Sequence, residues 1–230
     1  MEERLRVLIA SLIRRGRLEA REVEGGVGLP LQLAVELTRG LPVRLEGDSL
    51  VASDAVELIL ACWRRGFDPV ELALRAGWRE FERLCARVFE EHGFRALTNV
   101  RFSSGGALRE LDVVALREPR ILAVDCKLWR RARESALRRT VRAHKERCAA
   151  FAQAAPAIPR VAAEVARWRS ARVVPAIVDL HEVSLKVFEG VPIVPLRKLS
   201  SFIEELEAYE GDLLAIPVEG RSEALGGPGA

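Results

Sequence analysis

The stretch from Arg109 to Leu128 constrains the chain most. Two short runs rich in apolar residues, Arg109 to Leu116 and Ile121 to Leu128, are separated by the polar, Pro-containing Arg117-Glu118-Pro119-Arg120. That pattern predicts an antiparallel hairpin with a loop over Arg117 to Arg120. Pairing Leu116 with Ile121 sets Asp112 opposite Asp125 and Glu110 opposite Lys127, and the two-residue period of a strand puts all four on one face. Carboxylates directly opposite one another repel and destabilise a sheet. In an otherwise apolar hairpin they call for a compensating cation, and a divalent metal with oxygen ligands answers that need. Asp112, Asp125 and the backbone carbonyl of Cys126 are the candidate ligands. Lys127 shares the face of Asp125, where an ammonium orients an attacking water or stabilises a charged transition state. Glu110 reads as a cross-strand ion-pair partner of Lys127.

A chain of 230 residues can bury a substantial core and suits one domain of average size plus a small one. No apolar run approaches the length of a membrane span, and Met1-Glu2-Glu3-Arg4 lacks a secretory profile, so no membrane association and a cytoplasmic location are expected. Cys62, Cys85, Cys126 and Cys148 are too scattered for a zinc or redox pair and read as reduced core residues. A net charge of +3 does not argue for nucleic acid by itself, so the placement of charge matters more.

Residues 1–66 predict a helix bearing Leu5, Leu8, Ile9, Leu12 and Ile13 and ended by Gly16. A short segment from Leu18 to Val23, a turn at Gly25 to Gly28 and a helix from Pro30 to Thr38 follow. Val43 to Glu46 and Leu50 to Ala52 then flank Gly47-Asp48 as a small hairpin. This order resembles a winged helix, a fold that often binds DNA. Yet the region is neutral, with ten Arg against ten acidic residues over Met1 to Arg65. Its second helix also carries few side chains for bases or phosphates. Packing or homodimerisation through this region is therefore expected over DNA reading. Ser53 and Asp54 read as the start of a helix running to about Arg65, and residues 67–77 form a helical connector with a second N-terminal signature, Asp68 as cap and Pro69 in the first turn.

A helix from Trp78 carries the stripe Trp78, Phe81, Leu84, Cys85, Val88 and Phe89 and ends at Gly93. His92 in its last turn reads as a cap. Glu82 borders the stripe, either as a solvated helix charge or as a third carboxylate leaning toward the hairpin. A strand from Phe94 to Phe102 and a flexible loop over Ser103-Ser104-Gly105-Gly106 lead into the hairpin. After it, Arg130 to Arg147 holds seven Arg and Lys145 against Glu134 and Glu146, while Leu137, Val141, His144, Cys148 and Phe151 share the opposite helical face. The basic face is either a phosphate-binding wall or a solvated surface, and His144 reads as a satisfied core histidine. Ala154-Ala155-Pro156 breaks the helix, a further helix spans Ile158 to Trp168, and Arg172 to Val178 reads as a buried strand. His181 falls in the loop beyond it. Leu185 to Phe188 and Val191 to Val194 form a last hairpin, followed by a helix from Lys198 to Tyr209. A tail over 215–230 is expected to be flexible.

The order helix, strand, strand, strand, with Asp112 on one strand and Asp125-Cys126-Lys127 on the next as a (D/E)-x-K element, resembles the PD-(D/E)XK, or restriction-endonuclease-like, superfamily. Phe81-Glu82 and Gly93-Phe94 are similar to the corresponding part of Mrr-type restriction enzymes. Ser104-Gly105 and its spacing to Asp112 are similar to archaeal Holliday-junction resolvases. This sequence has Asp where Glu is commoner before x-K, and Leu111 where Pro commonly precedes the first Asp. The resemblance covers about Trp78 to Leu206 and implies an α/β mixed sheet flanked by helices over 78–214, behind the winged-helix-like N-terminal domain. It implies a Mg²⁺- or Mn²⁺-dependent DNA endonuclease leaving 5′-phosphates, with Asp112, Asp125, Lys127 and Glu82 as catalytic residues. Ser104, Arg130, Arg131, Arg138 and Arg142 are the expected DNA contacts. A junction-specific resolvase and a non-catalytic nucleic-acid-binding module are the competing expectations.

Overall fold

The computed structural model describes residues 1–129, 133–184 and 186–218. The chain divides into two compact units, Met1–Leu84 and Cys85–Ala230. That division falls inside a helix, C-terminal to the boundaries read at 66 and 78.

In the first unit, helix α1 (Glu2–Arg15) buries Leu8, Ile9, Leu12 and Ile13. It stops at Gly16, whose φ of 74° is the left-handed cap conformation that costs glycine least. The segment expected over Leu18 to Val23 resolves into strand β1 (Arg17–Glu19), a turn of helix α2 (Ala20–Glu22) and a π-helical turn, Val23–Val27. The strand forms because Arg17, Leu18 and Glu19 pair with Val51, Leu50 and Ser49. Helix α3 (Leu31–Leu37) and the hairpin β2 (Val43–Glu46) and β3 (Ser49–Ala52) complete an antiparallel sheet ordered β1-β3-β2. The Asp54 carboxylate accepts the Val56 and Glu57 N–H groups at the start of α4 (Ala55–Arg64), and Asp68 accepts Val70 N–H at the start of α5 (Pro69–Ala76). Each satisfies donors that a helix start leaves free.

Helix α6 (Trp78–Glu91) buries Phe81, Leu84, Cys85, Val88 and Phe89, while Trp78 is 41% exposed. The second unit carries a mixed sheet. Strands β4 (Arg95–Ser104), β5 (Ala107–Arg117), β6 (Arg120–Lys127), β7 (Arg172–Asp179), β8 (Val187–Phe188) and β9 (Val191–Pro195) lie in the order β4-β5-β6-β7-β9-β8, and the short β10 (Ile216–Pro217) also pairs with β7. β4, β5 and β6 are mutually antiparallel, whereas β6, β7 and β9 run parallel. Helices α7 (Glu134–Ala154) and α8 (Pro159–Val165) connect β6 to β7. A parallel pair needs such a crossover. The α7 residues Cys148, Phe151 and Ala152 pack with Leu97, Val100, Phe102, Leu111, Val114, Leu116, Ile121 and Ala123 in one core, joined by Val161 and Val165 of α8. β6 lies between neighbours, and Arg120 through Cys126 are all buried, as a central strand of a covered sheet requires. A mixed sheet flanked by helices is the architecture that the resemblance implied.

Three local expectations are corrected. Ser103 and Ser104 belong to β4, and the turn into β5 is the pair Gly105-Gly106, with φ of 59° and 76°. Two positive φ angles are what a tight hairpin turn compatible with strand twist needs. The expected four-residue loop at Arg117 to Arg120 closes to Glu118-Pro119, because Arg117 pairs with Arg120 as one more rung in the same register. The helix expected over Lys198 to Tyr209 is cut to α9 (Leu199–Glu204), preceded by a 3-10 turn. Arg130, Arg131, Leu185 and 219–230 of the expected tail lie outside the described residues. No helix among the described residues is long and apolar enough to cross a membrane.

Candidate active site

The β5–β6 register is the one the sequence predicts: Leu116 faces Ile121, and the ladder runs on to Val113 opposite Val124. There the pairing ends. The next positions in that register, Asp112 and Asp125, do not form a rung. Instead the Asp112 carboxylate replaces the missing backbone acceptor, and the Cys126 N–H donates to its Oδ2 at 2.8 Å. A strand residue's N–H and C=O point to the same side of its strand. The Cys126 carbonyl therefore faces the gap that Asp112 fills.

The parting of the strands has a second signature on β4. Thr98 pairs with Val113 and Val100 with Leu111, but Asn99 and Asp112 between them make no rung. Asn99 has φ of 53°, in the left-handed region that Asn tolerates better than most residues. The alternation of faces breaks at this level in both strands. Leu97 and Val100 of β4 lie in one core cluster, as do Leu111 and Val114 of β5, although each pair is three residues apart. Asp112 thus sits at a kink shared by two strands. Only the unusual Asn99 marked it in the sequence.

Because pairing stops at Val113, the expected Glu110–Lys127 ion pair does not form. Glu110 turns to β4, where its Oε2 accepts from Arg101 Nε at 2.5 Å, while Lys127 Nζ lies 2.7 Å from Asp125 Oδ2. Asp125 is 2% exposed. Its Oδ1 also takes Arg147 Nη2 of α7 at 3.2 Å. Among the described residues no hydrogen bond is made to its Oδ2, because the Lys127 contact is close but not aligned as one. Burial raises the Asp112 carboxyl above the ordinary carboxylate range; the Cys126 N–H bond opposes that shift, and the Asp125 charge adds to it.

The parallel neighbour adds a residue that the sequence reading missed. Asp179 ends β7 in register with Lys127 and is fully buried. Its Oδ1 accepts the Trp129 N–H at 3.0 Å and, more weakly, the His181 N–H at 3.5 Å, while Oδ2 has no hydrogen bond among the described residues. Burial pushes its carboxyl up to about 6 against three backbone N–H bonds. Arg147 was missed too, being one Arg among many in a basic run. An Asp at the end of an apolar strand was the available signal for Asp179, and a step of three from His144 on the same helix was the signal for Arg147.

His144 is completely buried, with Nε2 2.9 Å from Ala123 O, as a satisfied core histidine should be. Burial pushes it down to about 4. His92 Nδ1 lies 2.7 Å from Val88 O, consistent with capping the last turn of α6. All four cysteines are free and buried. Glu82 is buried on α6 and has an interaction partner, so it is not the solvated charge of one reading. No group of three or more His, Cys, Asp or Glu side chains placed to hold a metal occurs among the described residues. Of the expected DNA contacts, Ser104 lies at the β4 end of the Gly105-Gly106 turn. Arg138 is bound by Glu134 and stacks 4.3 Å from the centre of the Phe188 ring; Arg142 is bound by Glu189 and lies 5.3 Å from the same ring.

A mixed sheet whose central hairpin opens at an Asp, with Asp-x-Lys on the adjoining strand, defines a nuclease domain of the restriction-endonuclease-like class. Residues 73–155, which contain the whole hairpin and α7, match the restriction endonuclease family. Over 134 residues the chain is 32% identical to an uncharacterized protein of Archaeoglobus fulgidus, covering 57% of this chain and 93% of that protein. The chain belongs to the restriction endonuclease family of Mrr type. Among solved structures it is similar to protein VC1899 from Vibrio cholerae, at 12% identity and a TM-score of 0.38, covering 91% of this chain and 51% of that one. It is also similar to the protein of unknown function AF1548, at 19% identity and a TM-score of 0.30, covering 56% and 65%. The chain thus spans about half to two thirds of the length of these solved relatives.

Proposed function

We propose that this protein is a metal-dependent DNA endonuclease that hydrolyses phosphodiester bonds, serving repair, recombination or restriction. The observation that carries the proposal is the open end of the β5–β6 hairpin, where Asp112 takes the Cys126 N–H, Asp125 lies beside Lys127 and the Cys126 carbonyl faces the gap. The donor set fits Mg²⁺ or Mn²⁺. Two carboxylates and a carbonyl are hard oxygen donors, Asp125 Oδ2 is buried without a hydrogen bond among the described residues, and Mg²⁺ commonly takes one or two carboxylates with water completing its shell. Asp112, Asp125 and the Cys126 carbonyl would hold the ion. Bound there, a divalent cation supplies Lewis acidity, lowering the pKa of water and neutralising charge on the phosphate. Lys127 lies at the same strand end, 26% exposed, where it orients the attacking water and stabilises charge developing on the phosphate. Arg147 donates from α7 to Asp125 Oδ1 at 3.2 Å and helps to hold that carboxylate. On the exposed side of α7, Arg138 and Arg142 are the proposed backbone-phosphate contacts, with Glu134 and Glu189 as the carboxylates that phosphates must displace.

The test is to incubate the purified chain with linear duplex, single-stranded and branched DNA in Mg²⁺ or Mn²⁺, beside Asp112→Ala and Lys127→Ala. Cleavage by the wild type, lost in both variants, is expected. Cleavage that survives both substitutions removes the assigned site, and no cleavage of any substrate favours a binding module. A preference for the branched substrate identifies a junction-specific enzyme.

A further inference from the structure

Strand β6 is held at its functional end by carboxylates from both neighbours. On the β5 side, Asp112 takes the Cys126 N–H. On the β7 side, the Lys127 carbonyl accepts the Leu180 N–H at 2.9 Å, and the Asp179 carboxylate then takes the Trp129 N–H in place of a further rung. Lys127 lies between these two anchors. We propose that Asp179 is a positioning residue for Lys127, fixing the backbone immediately beyond it by accepting the Trp129 N–H. The inference rests on the nuclease reading for its effect on catalysis, though not for its structural content.

The geometry gives Asp179 little other work. It is fully buried and so touches neither solvent nor a substrate, and its Oδ1 takes N–H groups from both segments that leave the sheet here, Trp129 after β6 and His181 after β7. One oxygen thereby ties the exit of β6 to the exit of β7. The Trp129 ring packs against the cluster of Val141, Ile177, Val191 and Ile193, so this residue is fixed through its ring and through its backbone. Lys127 is two residues upstream, with a long side chain that has lost rotamer freedom to stay 2.7 Å from Asp125. If the Trp129 anchor is released, the last rung of β6 frays and the ammonium wanders. Misplacements on the order of 1 Å cost catalysis about 100-fold.

Asp179→Ala and Asp179→Asn in the full chain separate the acceptor from the charge, since Asn keeps an oxygen for the Trp129 N–H and loses the negative charge. Two quantities are read: kcat and KM on DNA, and the hydrogen-exchange rate of the Trp129 amide by NMR in the protein without DNA. Asp179→Ala is expected to lower kcat about 10- to 100-fold with KM changed less than about 3-fold, and to speed Trp129 exchange at least about 10-fold. Asp179→Asn is expected to restore both to within about 3-fold of wild type. Unchanged Trp129 exchange in the Ala variant overturns the proposal, as does an Asn variant with wild-type exchange and the low kcat of Ala. If the wild type cleaves no DNA, the nuclease reading fails, and the exchange rates alone decide whether Asp179 anchors this strand end. If the Ala variant does not fold, the Asn variant decides: wild-type kcat and exchange support the proposal, and a loss in either overturns it.

Discussion

At its turn end, from Arg117–Arg120 to Val113–Val124, the β5–β6 hairpin makes every rung, and Val113 to Leu116 and Ile121 to Val124 are at most 2% exposed. At its other end the same two strands part. There Asp112 replaces a rung, Asp125 takes two cations, and a kink at Asn99 releases β5 from regular alternation. The closed end gains its stability from apolar burial and complete pairing. The open end gives up pairing so that charge can gather. On the proposed reading, one hairpin carries the fold at one end and the chemistry at the other, and substitutions at the two ends should fail in different ways.

The largest contrast should come from Asp125→Asn against Leu122→Ala. Asp125→Asn should reduce DNA cleavage by on the order of 10³-fold, with a smaller change in unfolding free energy than the core substitution. Leu122 is completely buried, so Leu122→Ala should destabilise by about 2–5 kcal/mol in denaturant while the folded fraction keeps kcat within a few-fold. A Leu122→Ala enzyme that folds well and cleaves poorly would erase the distinction between the ends.

His144 bridges them, meeting Ala123 at the closed end and approaching Arg147 at the open one, with Nδ1 3.5 Å from Nη2. Its folded value is pushed below that of the unfolded chain, so the unfolded state binds the extra proton first. Its contribution is present above about 6.5 and is lost as pH falls through that value toward about 4, by up to roughly 3 kcal/mol. Unfolding free energies of the wild type and of His144→Gln, measured across that window, should show a flatter slope in the variant. Equal slopes would mean that another group carries the acid sensitivity.

A smaller effect should mark the kink. Asn99→Gly should be nearly neutral, because glycine adopts the positive φ freely, whereas Asn99→Val should cost about 1–2 kcal/mol and reduce cleavage by straightening β4 beside Asp112. Identical stability of the two variants would show that β4 does not hold the kink.

Much of the closed end was legible in the sequence, because alternation and the Pro-containing connection fix a register and that register held despite a shorter turn. Asp112, Asp125 and Lys127 were legible as charges misplaced in an apolar hairpin. Glu110 was misread because period-two reasoning assumes that pairing continues, and nothing in the two runs announces where a strand leaves its neighbour. Asp179 and Arg147 escaped for a related reason. They reach the site through a parallel neighbour and a helix that are distant in sequence, and such contacts depend on tertiary packing. In Met1–Leu84 the caps Asp54 and Asp68 and the stop at Gly16 were readable because their physics is local, whereas β1 forms only through its partner β3.

The central claim, that the open end holds a divalent cation, is tested most directly by calorimetric titration of Mn²⁺ into the wild type, Asp112→Asn, Asp125→Asn and Lys127→Met. The account predicts saturable binding by the wild type and by Lys127→Met, and loss of binding in both Asp variants. Binding unchanged in Asp112→Asn and Asp125→Asn would contradict it.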